Sequence, residues 1–299
     1  MNDDYLWDRS GPPDLEVARL EQRLAPLRYR HRKPRPLRGR WAVAGALLAA
    51  AAGLLLTVTP GQQTTEWQVA GAKLRQGQVL RTGNASIRLE ADDVGRVDLA
   101  ANSVLRTAGG KRLALQRGEL HAFIWAPARD FVVETPSARA VDLGCEYTLN
   151  VDEKGDGVLR VSLGWVAFQV GDREAFIPAG ATCATRKRGG PGIPYFEDTS
   201  DGLRRGVERF ERGDPGALTG LLAAAGPHDG LTLWHLLTRV PEADRGAVFD
   251  RFRQLVQLPA GVSRDSVVHR DPRAIDQCWN ALDLQNTGWW RGWERKWNE

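Results

Sequence analysis

Histidine, cysteine and methionine are scarce in this chain: five, three and one among 299 residues. That scarcity removes whole classes of chemistry. The first 40 residues contain no cysteine and one histidine, His31, so they cannot form a zinc module of the His/Cys kind. No Gly-x-Ser-x-Gly, His-Glu-x-x-His or paired-carboxylate constellation occurs anywhere, and no catalytic residue, metal site or cofactor is assigned. Charge is missing from one place above all. Trp41 to Thr59 (WAVAGALLAAAAGLLLTVT) runs for nineteen residues without a charged side chain. As a helix it would be roughly 28 Å long, close to the hydrocarbon thickness of a bilayer. The plainer alternative is an alanine-rich core helix, but such a helix should carry a polar face, and this one has only its terminal threonines. The segment is therefore expected to be a single transmembrane helix.

What flanks this run orients it. Arg28 to Arg40 (RYRHRKPRPLRGR) holds seven Lys/Arg and no acid. Positive charge stays cytoplasmic, so the N-terminus is expected inside and the C-terminus outside, in a bacterial inner membrane with the bulk of the chain periplasmic. A cleaved leader is not expected, because 40 residues precede the run and LLLTVTPGQ has no small-x-small site. Residues 1–40 carry 10 bases and 6 acids, whereas residues 60–299 carry 31 of each. The whole net charge of +4 thus sits beside the membrane, and a pI near 9.1 reports topology and contact of Arg28–Arg40 with anionic lipid, not direct nucleic-acid binding. Gly45, Ala49 and Gly53 share one face of the run, a spacing that permits close helix approach but also follows from alanine-rich composition.

The tail before residue 28 has a different texture. Asp14 stands where an N-cap belongs, and Val17, Leu20, Leu24 and Leu27 fall on one helical face, with Trp7 upstream. A helix this short is marginal alone in water. Its stripe and Trp7 therefore need a surface, and the acidity of the segment favours a protein groove over anionic lipid.

From Glu66 to about Phe196, short alternating runs such as ASIRLEA, RVDLAA and EYTLNV are separated by glycine turns. This pattern predicts an all-β domain over 66–185, sandwich- or solenoid-like, with Trp125, Trp165 and Phe168 as core aromatics. Pro136 should end a strand, and Gly144 should permit a bulge or a close backbone approach. In a periplasmic setting Cys145 and Cys183 favour a disulfide, closing a loop of about 39 residues worth roughly 4 kcal/mol. Two buried free thiols, or a reactive Cys145, are the alternatives; for the latter His121 is the nearest histidine in the sequence of the domain, and nothing positions it. Ser137 and Asp142 read as turn and strand-edge residues, and Cys278 as a buried thiol in a helix.

FVVETPSARAVDLGCEYTLNV, then GVLRVSLGWVAF, then FIPAGA, form an ordered set that resembles the FecR domain, with GQVLRTGNASIRLEADDVGRVDLAANSVLR and LALQRGELHAFIW fitting its earlier strands. The likeness spans about residues 70–185. It implies a single-pass regulator whose cytoplasmic tail engages an extracytoplasmic-function sigma factor and whose outer β domain senses or relays a signal. Two departures stand out. The family's Gly-Thr step is Gly144-Cys145 here, and the last hundred residues are unlike the family's transporter-docking end, so iron transport does not follow.

Arg186 to Pro194 (RKRGGPGIP) opens a stretch that reads as a linker over 186–200. Helical periodicity then occupies 201–299, as HEAT-like pairs or a compact bundle. Trp289, Trp290, Trp293 and Trp297 share one side of a helix, either packed on that bundle or presenting an aromatic face to a glycan, a membrane edge or a periplasmic protein. The resulting expectation is an inner-membrane regulator with tail (1–40), span (41–59), β domain, linker and helical region. An anchored envelope scaffold that binds wall polymer or protein is the competing reading, and an anchored hydrolase a distant third.

Overall fold

The computed structural model describes residues 65–284. Sixteen strands lie among them: β1 (Gln68–Val69), β2 (Ala72–Lys73), β3 (Val79–Arg81), β4 (Ile87–Ala91), β5 (Gly95–Leu99), β6 (Val104–Gly109), β7 (Arg112–Ile124), β8 (Val132–Glu134), β9 (Arg139–Asp142), β10 (Glu146–Val151), β11 (Gly157–Leu163), β12 (Trp165–Val170), β13 (Arg173–Pro178), β14 (Ala181–Arg186), β15 (Gly190–Pro191) and β16 (Tyr195–Phe196). Six α-helices follow: α1 (Asp201–Glu211), α2 (Ala217–Ala224), α3 (Gly230–Arg239), α4 (Glu242–Leu255), α5 (Arg264–Val268) and α6 (Pro272–Asn280).

The strands make two sheets that share β7. The first runs β2-β1-β4-β5-β7-β10-β11-β14, with β15 and β16 both on the far side of β14. The second runs β3-β6-β7-β8-β9-β12-β13. Every pairing is antiparallel except β7 with β8. β7 changes sheets near Gly118: Arg112–Arg117 pairs with β6, and Gly118 to Phe123 pairs with β10. Gly118 sits at φ +96°, and a Cβ there would lie 2.1 Å from Ser103 Oγ, whose hydroxyl accepts the Glu119 amide at 3.0 Å. Only glycine fits that crossing.

Alternation explains most of the core. On β10, Tyr147, Leu149 and Val151 point inward between half-exposed neighbours, as period 2 requires. β12 and β13 break the rule: Trp165 to Phe168 and Ala175 to Pro178 are buried without interruption. A second layer covers their other face. The indole of Trp279 on α6 meets Trp165, Phe176 and Trp234 at centroid distances of 5.8, 5.7 and 4.5 Å. The free edge of β13 is also satisfied from α3. His235 Nε2 accepts the Phe176 amide at 3.1 Å, and Arg239 donates to the carbonyls of Glu174 and Pro191 at 3.0 Å each. An edge strand that would otherwise template aggregation is closed by one helix face.

Arginines also tie the helices together through their C-terminal carbonyls. Arg245, nearly fully buried, donates to Leu237 and Val240 at the end of α3 and to Val268 at the end of α5. Ser200, Ser263 and Asp271 cap α1, α5 and α6 with side-chain oxygens.

Three expectations are corrected. The fold class is antiparallel β followed by helices, without the expected transmembrane helix: among the described residues no helix is long and apolar enough to cross a membrane. The segment assigned to that role, Trp41–Thr59, lies outside the described residues, as do the Arg28–Arg40 segment and the tail. The stretch 186–200 is not a free linker, since it contributes β15 and β16 and buries Ile193. Strands and helices belong to one compact unit and share one apolar core. Trp125 is the third correction. It follows β7 on the outward side, is 53% exposed, and is pinned by its indole N–H to Asp92 O at 2.9 Å. Trp165 and Phe168 are core aromatics as expected.

Candidate functional site

Two polar features stand out from this scaffold. The first is buried at the Gly144-Cys145 step. β9 ends at Asp142, whose amide is held by Phe131 O at 3.0 Å. The chain turns through Gly144 at φ +88°, and the Gly144 amide donates to Asp142 Oδ1 at 2.8 Å. The Cys145 thiol donates to Asp142 Oδ2. The close backbone approach expected at Gly144 is made by its neighbour: a Cβ on Gly164 would lie 1.9 Å from Gly144 O. The bulge lies beside it, where the β10–β11 register shifts between Glu146 and Tyr147.

Among the described residues no cation lowers this carboxyl. Burial raises Asp142 to about 7, against the lowering effect of its thiol and amide donors. Burial first, and the adjacent Asp142 charge second, push the Cys145 thiol well above its ordinary value. A reactive cysteine needs the thiolate and access, and Cys145 has neither. Tyr147, buried next along, leaves its hydroxyl without a hydrogen-bond partner among the described residues.

Cys145, Cys183 and Cys278 are all free and buried, so the expected Cys145–Cys183 disulfide is absent. Register explains why. Glu146, beside Cys145, is opposite Leu163 of β11, whereas Cys183 is opposite Leu159. Four residues along a strand is roughly 13 Å, well past what a disulfide spans. Cys183 Sγ instead lies against the carbonyls of Ala184 and Gly192. Among the described residues no group of His, Cys, Asp and Glu could hold a metal ion. His121 lies on the outer face of the first sheet, bonded to Glu146 at 2.9 Å and Thr148 at 3.2 Å. Ser137 is buried in the turn after Pro136, near Thr135 Oγ1 at 3.3 Å.

The second feature is open: residues of β11, β14 and α1 together line a cleft of about 530 Å³. Arg204, Val207, Glu208 and Glu211 line it from the helix, the spacing of a single helical face. Arg160 and Tyr195 line it from the sheet side. Glu211 Oε1 accepts the Ile193 amide at 2.5 Å, and burial raises its carboxyl above the ordinary range. Tyr195 is raised as well, by burial first and by Glu208 second. Nothing in the sequence marks this cleft, because its walls come from residues 158 to 212 through strand register.

Among the other sites read from the sequence, Trp7, Val17, Leu20, Leu24 and Leu27 of the tail lie outside the described residues, as do Trp289, Trp290, Trp293 and Trp297. Trp279 is described, and it is a buried bolt between the layers.

The described residues thus form an antiparallel β unit with a buried polar step and a mixed-charge cleft, faced with helices. Residues 78–166 match the family model described as FecR protein, which places a FecR domain over just under a third of the chain. Two crystal structures of a proposed anti-sigma factor from Parabacteroides distasonis, at 1.65 and 2.50 Å resolution, each show 15% identity and a TM-score of 0.36. Each likeness covers 40% of this chain and 60% of that one, so the chain matches less than two thirds of their length. No curated protein matches the chain.

Proposed function

We propose that this chain regulates a sigma factor. The FecR match at residues 78–166 is the observation that carries the reading. The tail supports it. Val17, Leu20, Leu24 and Leu27 form an apolar stripe on a segment too short to bury a core of its own. In this account the stripe, with Trp7, docks in a groove of the sigma factor, and the β domain with its covering helices conveys a signal to the tail. The buried, donor-saturated Gly144-Cys145 step acts as a structural joint, and the protein works by binding, not turnover.

The test is transcriptional. A promoter driven by the cognate sigma factor is assayed in cells with the intact gene, with the gene deleted, and with Leu20→Asp in the tail. The proposal expects deletion and Leu20→Asp to shift reporter output the same way, by severalfold. Output unchanged in the deletion strain refutes it.

A further inference from the structure

The outer faces of the two sheets treat charge differently. On the first sheet Arg88 meets Asp98 at 2.6 Å, His121 meets Glu146 at 2.9 Å, and Arg160 reaches Glu197 at 3.5 Å. On the second sheet, register gathers unpaired arginines between β3 and β9. Val79 of β3 pairs with Arg106 of β6, Arg106 with Ala114 of β7, Ala114 with Glu134 of β8, and Glu134 with Arg139 of β9. These positions therefore point the same way, opposite to the buried Leu113 and Val133. Arg81, two residues after Val79, and Arg112, two before Ala114, join that face.

None of Arg81, Arg106, Arg112 and Arg139 has an ion pair or a side-chain hydrogen bond among the described residues. The cations that border them are paired: Lys111 meets Asp130 at 3.0 Å, and Arg117 meets Glu153 at 3.7 Å. Across this stretch of the second sheet Glu134 is the single outward-facing acid among the described residues. Beyond β9 the sheet is covered by Trp279 on Trp165 and Phe176, but β3 to β9 remain uncovered, with Val79 44% exposed among the arginines.

Four arginines against one carboxylate on a flat face create a field of one sign. At about 4.8 Å between strands, the charges spread over roughly 19 Å from β3 to β9. That is too wide for a single phosphate or carboxylate and suits a surface that carries many anions. None of the residues named on this face is aromatic, so it offers no platform on which nucleic-acid bases could stack. An exposed valine ringed by arginines suits the boundary between lipid headgroups and acyl chains.

We propose that the outward face of β3, β6, β7, β8 and β9 docks on an anionic lipid surface, with Arg81, Arg106, Arg112 and Arg139 at the headgroups and Val79 at the acyl boundary. The outer face of the first sheet stays in solvent. The inference is independent of the sigma-factor reading.

The test reads each face separately in the full chain. A polarity-sensitive fluorophore is attached at Val79→Cys, or at Ser162→Cys on the outer face of the first sheet as a control. Cys145, Cys183 and Cys278 are buried, so they stay unlabelled in the folded protein. Each labelled protein is mixed with vesicles whose acyl chains carry bromine as a quencher. The vesicles are phosphatidylcholine alone, or phosphatidylcholine with about one-third phosphatidylglycerol. Quenching at position 79 is expected to be at least threefold stronger with the anionic vesicles, and quenching at position 162 weak with both. Arg112→Gln and Arg139→Gln, both at exposed positions, are each added to the Val79→Cys protein. Each is expected to raise the lipid concentration for half-maximal quenching roughly fivefold, the effect of one cation at an anionic surface. Circular dichroism confirms that each variant is folded. Equal quenching at position 79 by neutral vesicles, equal quenching at the two positions, or arginine variants that quench like the parent would each overturn the proposal. So would a response at position 79 to duplex DNA and not to vesicles.

Discussion

His235 Nε2 accepts the backbone amide of Phe176 at 3.1 Å, joining α3 to the outermost strand of the second sheet. The other ring nitrogen lies 2.9 Å from Leu231 O, which fixes the proton on Nδ1. His235→Ala removes the acceptor that α3 offers the Phe176 amide and opens space beside Trp234 and Trp279. The expected loss is about 2–4 kcal/mol. Urea unfolding followed by circular dichroism measures it. His235→Gln, which keeps an acceptor, should recover part of the loss.

Asp142 makes stability depend on pH in an unusual direction. Its folded value of about 7 lies above the ordinary 3.8, so the folded state holds the proton more tightly. Its contribution is complete below about pH 4, is lost as pH rises through about 7, and is flat above that. Three pH units at about 1.4 kcal/mol each set an upper limit of about 4 kcal/mol. Other carboxylates also titrate, so the measurement is the difference between wild type and Asp142→Asn. That difference should change in favour of the variant between pH 4 and 7.5. A constant difference contradicts the assignment.

Tyr147→Phe removes a buried hydroxyl that has no hydrogen-bond partner among the described residues. Most core substitutions destabilise, but this one should be neutral or stabilising by up to about 2 kcal/mol. Thermal or urea unfolding decides it.

The thiols are countable. Alkylation of the denatured chain without reductant should label all three cysteines, since none is paired. A mass corresponding to one label would restore the Cys145–Cys183 bridge.

Gly118→Ala should cost about 3 kcal/mol or more, because it combines a positive φ with a clash against Ser103. Gly71→Ala, also at positive φ but with open space around its Cβ, should cost about 1 kcal/mol. Paired unfolding curves separate the clash from the backbone term.

Much of the β domain is legible in the sequence because alternation and turn residues are local. Tyr147, Leu149 and Val151 declare an inward face, and Pro136 ends β8 where a proline should. What is hidden depends on layers and register. The unbroken apolar runs of β12 and β13 signal cover on both faces, yet the cover comes from Trp234, His235 and Trp279, far along the chain. Trp125 resembles a core residue because its exposure follows from where β7 ends. The disulfide expectation rests on compartment and loop length, neither of which contains the offset of Leu159 from Leu163 that separates the two cysteines. The cleft requires β11, β14 and α1 together, and no local pattern announces it.

The regulatory reading is tested most directly by purifying the full chain from its native cells under mild conditions and identifying what co-purifies by mass spectrometry, beside Leu20→Asp and Leu24→Asp. The account predicts a sigma factor at near-stoichiometric yield with the wild type and at least tenfold less with either variant. Absence of any sigma factor from the wild-type preparation, or equal recovery with the variants, would contradict it.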